Sequence, residues 1–255
     1  MGMKNILLRL AYDGSAYHGW QLQKNVPTVC DAVKSTLENI CGHDVTLYGC
    51  GRTDAGVHAT IYAANFLCAS NIPIERLPYA VNTMLPPDIV VDYAEEVGED
   101  FNVISNCIGK RYTYRILNTP FRDPFLCNRA LWYKHNLDVD LMRKAAESIK
   151  GERDFKALCG AAGTTKTTVR DVREITIEQH GNLLDISVTA NGFLYNMMRN
   201  IVGTLLYVNE GKIALNELPK LLDSRDRTLT GPTVPGCGLY MTGVWYENID
   251  WSVDL

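Results

Sequence analysis

The densest grouping of reactive side chains is Gly49-Cys50-Gly51-Arg52-Thr53-Asp54-Ala55-Gly56-Val57-His58. An acid, a guanidinium, a hydroxyl and an imidazole stand among three glycines, which allow φ > 0 and close approach by a ligand or another backbone. One reading is a tight turn, with Asp54 bonded to its own backbone and Arg52 solvated; the other is a pocket wall. Asp54 is the only acid in the loop, which suits a lone nucleophile better than the paired carboxylates of a glycosidase. Such a nucleophile must be ionised, and burial favours the neutral form unless a cation stands beside it. Arg199 is a candidate cation. It lies in a stretch, 193–206, that is apolar on nearly every side, and a buried arginine needs a carboxylate or phosphate partner. An ordinary core ion pair is the competing reading for Arg199. In Lys110-Arg111-Tyr112-Thr113-Tyr114-Arg115, alternation puts Arg111, Thr113 and Arg115 on one face and Lys110, Tyr112 and Tyr114 on the other. Tyrosines flanked by cations suit stacking on a nucleobase beside phosphates, and equally suit packing on a sheet with basic edges.

The elements that position these groups follow from periodicity. Strands are expected over 6–12, 45–48, 59–67 and from 89, with a helix started by Thr28 and carrying Val29, Ala32, Val33, Leu37 and Ile40 on one face. A second helix is expected over 74–85, ended by Pro86-Pro87. The first half therefore reads β-α-β-β-α-β. After Gly98-Glu99-Asp100 the order recurs: a strand over 110–117, a helix over 141–149, a hairpin of 174–178 and 183–189 around Gly181-Asn182, a long helix over 193–208 and a strand over 238–245. The expected fold is α+β, with two similar split β-α-β (ferredoxin-like) halves, 1–100 and 101–255, sharing one mainly antiparallel sheet with a central cleft. The segment 160–169, rich in Gly, Ala and Thr, reads as a mobile loop touching substrate.

Composition narrows the class. No apolar run reaches the roughly 18 residues of a membrane span, and the first ten residues lack the pattern of a signal peptide, so a cytoplasmic protein is expected. The eight cysteines are scattered and are expected to be reduced thiols. With no Cys-x-x-Cys and no regular histidine spacing, a metal site is not expected. The net charge of -4 conceals a basic centre. Residues 101–173 carry 14 Lys and Arg against 7 Asp and Glu, whereas residues 1–100 carry 6 against 12. That asymmetry fits a local phosphate-binding face in an acidic chain. No Walker pattern, dinucleotide fingerprint or nucleophile elbow is present.

Gly51-Arg52-Thr53-Asp54-Ala55-Gly56-Val57-His58 resembles the active-site motif of the TruA-type tRNA pseudouridine synthases. The resemblance continues in order through Tyr12-Asp13-Gly14, Gly19-Trp20-Gln21-Leu22-Gln23, Leu85-Pro86-Pro87-Asp88-Ile89, Lys110 to Ile116, Asn191 to Gly203 and Gly238-Leu239-Tyr240. It implies an isomerase that converts uridines 38 to 40 of the tRNA anticodon arm to pseudouridine, without a cofactor and as a homodimer bridged by tRNA. It further implies Asp54 as nucleophile, Tyr112 stacked on the base, Arg199 paired with the aspartate and Arg52 linked to nucleotide flipping. His58, Lys110 and Arg111 join Arg52 and Tyr112 as candidate substrate-binding residues. Phe101-Asn102-Val103-Ile104-Ser105 departs from the family's Phe-His-Ala-Arg-Phe, Cys30 replaces its usual glutamine, and Val234 stands where a small residue is common. The alternative from another class is an RNA-binding or RNA-chaperone module without catalysis.

Overall fold

In a computed structural model, which describes residues 2–69, 72–163 and 165–249, the chain divides into two compact units. One comprises residues 1–108 with 241–255, the other residues 109–240. In the first, β1 (Lys4–Tyr12) buries Ile6, Leu7, Leu8 and Leu10. Helix α1 (Val29–Cys41) opens where the Thr28 hydroxyl accepts the Asp31 N–H, a cap worth about 1 kcal/mol. It buries Val29, Val33 and Leu37 and ends at Gly42 with φ of 71°. Strands β2 (Leu47–Gly49) and β3 (His58–Cys68) flank the glycine loop. Helix α2 (Leu77–Asn82) and β4 (Ile89–Val97) complete the expected β-α-β-β-α-β order. The strands run β4-β1-β3, with β2 on β3, all antiparallel.

Helix α2 is shorter than the 74–85 span its periodicity predicts. Pro78 has no N–H to return to Ile74, so residues 74–76 form a 3-10 turn and the α register opens at Leu77.

The second unit starts on β5 (Cys107–Leu117), with the two-residue β6 (Leu131–Trp132) parallel to it. Then follow α3 (Val139–Glu147), β7 (Gly151–Asp154), β8 (Val169–His180), β9 (Leu183–Ala190), α4 (Met197–Asn209) and α5 (Leu218–Asp223). Its antiparallel path runs β5-β9-β8-β7, and Gly181, at φ of 60°, turns the β8–β9 hairpin as the sequence indicates. The last strand, β10 (Leu239–Tyr246), lies beside β3, so from Met241 the chain returns to the first unit.

Helix α4 corrects one expectation, because it begins at Met197 and not at Phe193. Asn196 is left-handed at φ of 58°, a conformation that a right-handed helix excludes and asparagine tolerates. The Tyr195 carbonyl turns away to accept the Gly160 N–H at 2.8 Å. Thr164, within the segment read as a substrate loop, lies outside the described residues. Among the described residues no helix is long and apolar enough to cross a membrane.

Candidate active site

The Asp54 loop is braced from three directions within the first unit. At its entry, the Cys50 N–H donates to Ala63 O at 2.9 Å, and the Tyr62 hydroxyl donates to Gly51 O at 2.5 Å. From the side, the Trp20 N–H reaches Thr53 O at 3.3 Å, while Tyr12 Oη and Thr53 Oγ1 share a 3.1 Å bond. At its exit, the Gly56 N–H donates to Tyr17 O, and the Val57 N–H closes a turn onto Asp54 O, each at 3.2 Å. Beneath the loop, Trp20 and Tyr62 rings lie 4.2 Å apart and Tyr12 and Tyr62 rings 5.6 Å apart. Thr53 is buried, Asp54 half-buried and Arg52 exposed. The sequence reading as a simple turn accounts for the backbone bond from Val57 to Asp54 O, but not for this amount of support from remote aromatic side chains.

Gly19 shows why the approach is so close. A Cβ there would stand 2.1 Å from Thr53 O, and the residue has φ of 86°. Only glycine meets both conditions. Burial and a hydrogen bond to Asp88, at 2.7 Å, push the Tyr17 hydroxyl well above its usual pKa, so it remains a protonated donor and fixes the turn whose carbonyl holds Gly56.

His58 is 2% exposed and its Nδ1 accepts the Gly14 N–H at 3.1 Å, with Asp13 Oδ1 3.2 Å away. The imidazole therefore ties the loop's last residue to the turn after β1.

In the second unit, β5 presents its residues as the alternation implies. Tyr112 and Tyr114 are buried, while Lys110, Arg111, Thr113 and Arg115 are half-buried. Tyr112 lies opposite Val188 and packs edge-on against Phe193, at 4.8 Å and 80°. Tyr114 donates to Pro235 O at 2.7 Å, and burial raises its pKa. Arg115 grips Asp185 through two bonds of 3.0 and 2.9 Å and lies over the Tyr240 ring. Its charge is thus used within the sheet. Lys110 and Arg111 lie opposite Ala190 and Thr189.

Arg199, half-buried on the first turn of α4, donates from Nε to Val234 O at 2.7 Å and from Nη1 to Asn196 Oδ1 at 2.9 Å. The left-handed Asn196 thus both starts the helix and aims the guanidinium. The segment bearing Val234 is tied to α4. Gly231 and Gly203 pack backbone to backbone, and the Gly231 N–H donates to Thr204 Oγ1 at 3.1 Å. Asn200 completes the attachment through Thr233 and Arg227.

Sequence reasoning did not single out Tyr62, Phe193 or Asn200. For Asn200 a signal existed: a polar residue inside an apolar helix has to find buried partners. Tyr62 and Phe193 gave none, since their roles depend on contacts distant in sequence.

The glycine-braced aspartate loop thus belongs to the first unit, and the tyrosine strand and the arginine helix to the second. The sequence profile described as tRNA pseudouridine synthase matches residues 10–104 and 145–247, and the chain belongs to that family. It is 43% identical over 246 residues, 96% of its length and 100% of the relative's, to tRNA pseudouridine synthase A of Ruminiclostridium cellulolyticum. The corresponding protein of Acetivibrio thermocellus is 42% identical over 244 residues, and tRNA pseudouridine synthase A 2 of Clostridium perfringens 43% over 244, each with the same coverage.

Proposed function

We propose that this chain isomerises uridine to pseudouridine at positions 38 to 40 of tRNA, with Asp54 as nucleophile. Membership of the tRNA pseudouridine synthase family makes it an isomerase acting on tRNA. The observation that carries the role of Asp54 is the loop itself, a half-buried carboxylate on a turn that aromatic side chains and backbone bonds hold from three sides. Asp54 attacks C1′ or C6 of a flipped uridine. The N1–C1′ bond breaks, the uracil turns, C5 bonds to C1′, the bond to Asp54 breaks and restores the carboxylate, and the C5 proton leaves as N1 gains one. Nothing is oxidised or hydrolysed, so the balance calls for no cofactor.

In this reading Arg199 supplies the positive charge that keeps the carboxylate ionised, and Tyr112 provides the surface on which the base stacks. Arg52 fills the gap left by the extruded nucleotide. Lys110 and Arg111 meet phosphates, and His58 serves the substrate by holding the loop. Two copies bind one tRNA in the cytoplasm.

The test is turnover of an unmodified transcript of tRNA, with pseudouridine mapped by position. Wild-type protein is expected to convert uridines at 38 to 40, and Asp54→Asn, folded by circular dichroism, to convert none. Binding without product by the wild type would favour the RNA-chaperone reading instead. That reading draws on the altered 101–105 segment, but its backbone is firmly held: Asn5 Nδ2 donates to Phe101 O at 2.8 Å, and the Val103 N–H donates to Asn65 Oδ1 at 3.1 Å.

A further inference from the structure

Cys41, His43 and Cys68 converge where α1 ends and β3 ends, with one ligand atom from each within 4.8 Å of the others. The two sulfurs are 3.0 Å apart although 27 residues separate them in the chain. The convergence has a local cause. Gly42, left-handed at φ of 71°, reverses the chain after Cys41 and brings His43 back beside it. The His43 ring is fixed at both nitrogens: Nδ1 bonds Asp44 O at 2.9 Å and Nε2 receives the Ala69 N–H at 3.2 Å. Donation of Nδ1–H to a carbonyl leaves the lone pair on Nε2, the arrangement that a metal-ligating histidine ordinarily shows.

We propose that Cys41, His43 and Cys68 bind a zinc ion, with water in the fourth tetrahedral position. Two thiolates and one imidazole form a donor set that suits zinc and disfavours magnesium or calcium. Sulfurs sharing one zinc stand about 3.8 Å apart, so the pair opens by about 0.8 Å and Nε2 exchanges the Ala69 N–H for the metal. A disulfide would use the sulfurs alone and give the oriented imidazole no part. The spacing Cys-x-His followed by a distant cysteine matches no familiar zinc pattern, because β3 supplies the third ligand from across the sheet. Cys41 and Cys68 bracket β2, the Asp54 loop and β3, so the ion would clip together the segment that carries the nucleophile. The proposal stands independently of the reaction assigned above.

The full-length protein, reduced and freed of metal, is incubated with zinc sulfate, passed through a desalting column and assayed for zinc by plasma mass spectrometry. The expected result is one zinc per chain for the wild type and at least a tenfold loss of retained zinc in Cys41→Ser and His43→Gln. Zinc is also expected to raise the melting temperature of the wild type and not that of His43→Gln, a half-exposed position whose replacement leaves the core intact. Cobalt in place of zinc should give a thiolate-to-metal absorption band that is absent in Cys68→Ser. Less than a tenth of an equivalent of zinc on the reduced wild type, retention unchanged in His43→Gln, or no thiolate band with cobalt would each overturn the proposal. So would retention undiminished in both cysteine variants.

Discussion

Asn200, fully buried beside Arg199 on α4, accepts a hydrogen bond from Arg227 at 2.8 Å. Its Oδ1 also takes the Thr233 hydroxyl at 2.6 Å, and its amide donates to Leu158 O at 2.8 Å. One side chain therefore joins the helix, the 227–234 segment and the turn after β7. Asn200→Ala leaves the buried Leu158 carbonyl without its donor and removes an acceptor from Arg227 and Thr233, a cost of about 1 to 3 kcal/mol. Because Val234 holds Arg199 Nε, kcat is expected to fall about 10- to 100-fold while KM for tRNA changes little. Asn200→Asp keeps the acceptor for Arg227 and Thr233 and should retain more activity than the alanine variant. Steady-state kinetics with chemical denaturation separates the two effects; an equal rise in KM would contradict a positioning role.

Gly19 allows a second test. Gly19→Ala places a methyl 2.1 Å from Thr53 O at a residue with φ of 86°. A destabilisation of about 2 kcal/mol or more and a marked loss of pseudouridine formation are expected, since Thr53 adjoins Asp54. Gly181→Ala, also left-handed but with open space around it, controls for backbone strain alone and should melt lower with activity retained at temperatures below its transition.

Salt dependence distinguishes cations that meet RNA from those spent internally. Removing Lys110 or Arg111 is expected to lower the slope of log affinity for tRNA against log salt by about 0.7 to 0.9 each. Arg115 is already paired with Asp185, so Arg115→Ala should leave the slope unchanged. A flat salt response in the wild type would remove β5 from the RNA face.

Asp154 provides a prediction in pH. The Thr168 hydroxyl, the Lys156 N–H and the Arg225 guanidinium hold its carboxyl below the usual range. A depressed folded pKa gives stability that is present above the unfolded value, near 4, and is lost as pH falls through the folded one. The melting-temperature advantage of the wild type over Asp154→Asn should therefore hold from about pH 6 down to about pH 4 and vanish at lower pH. An advantage that grew on acidification would have the wrong sign.

Much of this was legible from the residues. The Thr28 cap, the Gly181 hairpin and the alternation of Tyr112 and Tyr114 with basic residues are local properties, encoded in neighbouring positions. Helices α2 and α4 start later than apolar periodicity predicts, for local reasons that periodicity ignores, a proline without an N–H and an asparagine in a left-handed turn. The Asp54 loop stands out in the sequence by its residue types, but its support does not. Tyr12, Trp20 and Tyr62 meet there only because β1 pairs with β3, Leu10 opposite Tyr62 and, past a register shift, Tyr12 opposite Ala59. The cysteine–histidine cluster was hidden for the same reason.

The return of the chain at Met241 also sets an order of events during synthesis. The aspartate-bearing unit lacks the strand beside β3 until the entire second unit has been translated. Until then β3 offers, beyond the residues that β2 covers, an unpaired stretch of edge. A nascent chain stalled before β10 would carry Asp54 on an incomplete sheet, so the scaffold of the proposed nucleophile is finished only after the arginine helix exists, and partial products of translation should be inactive and prone to association.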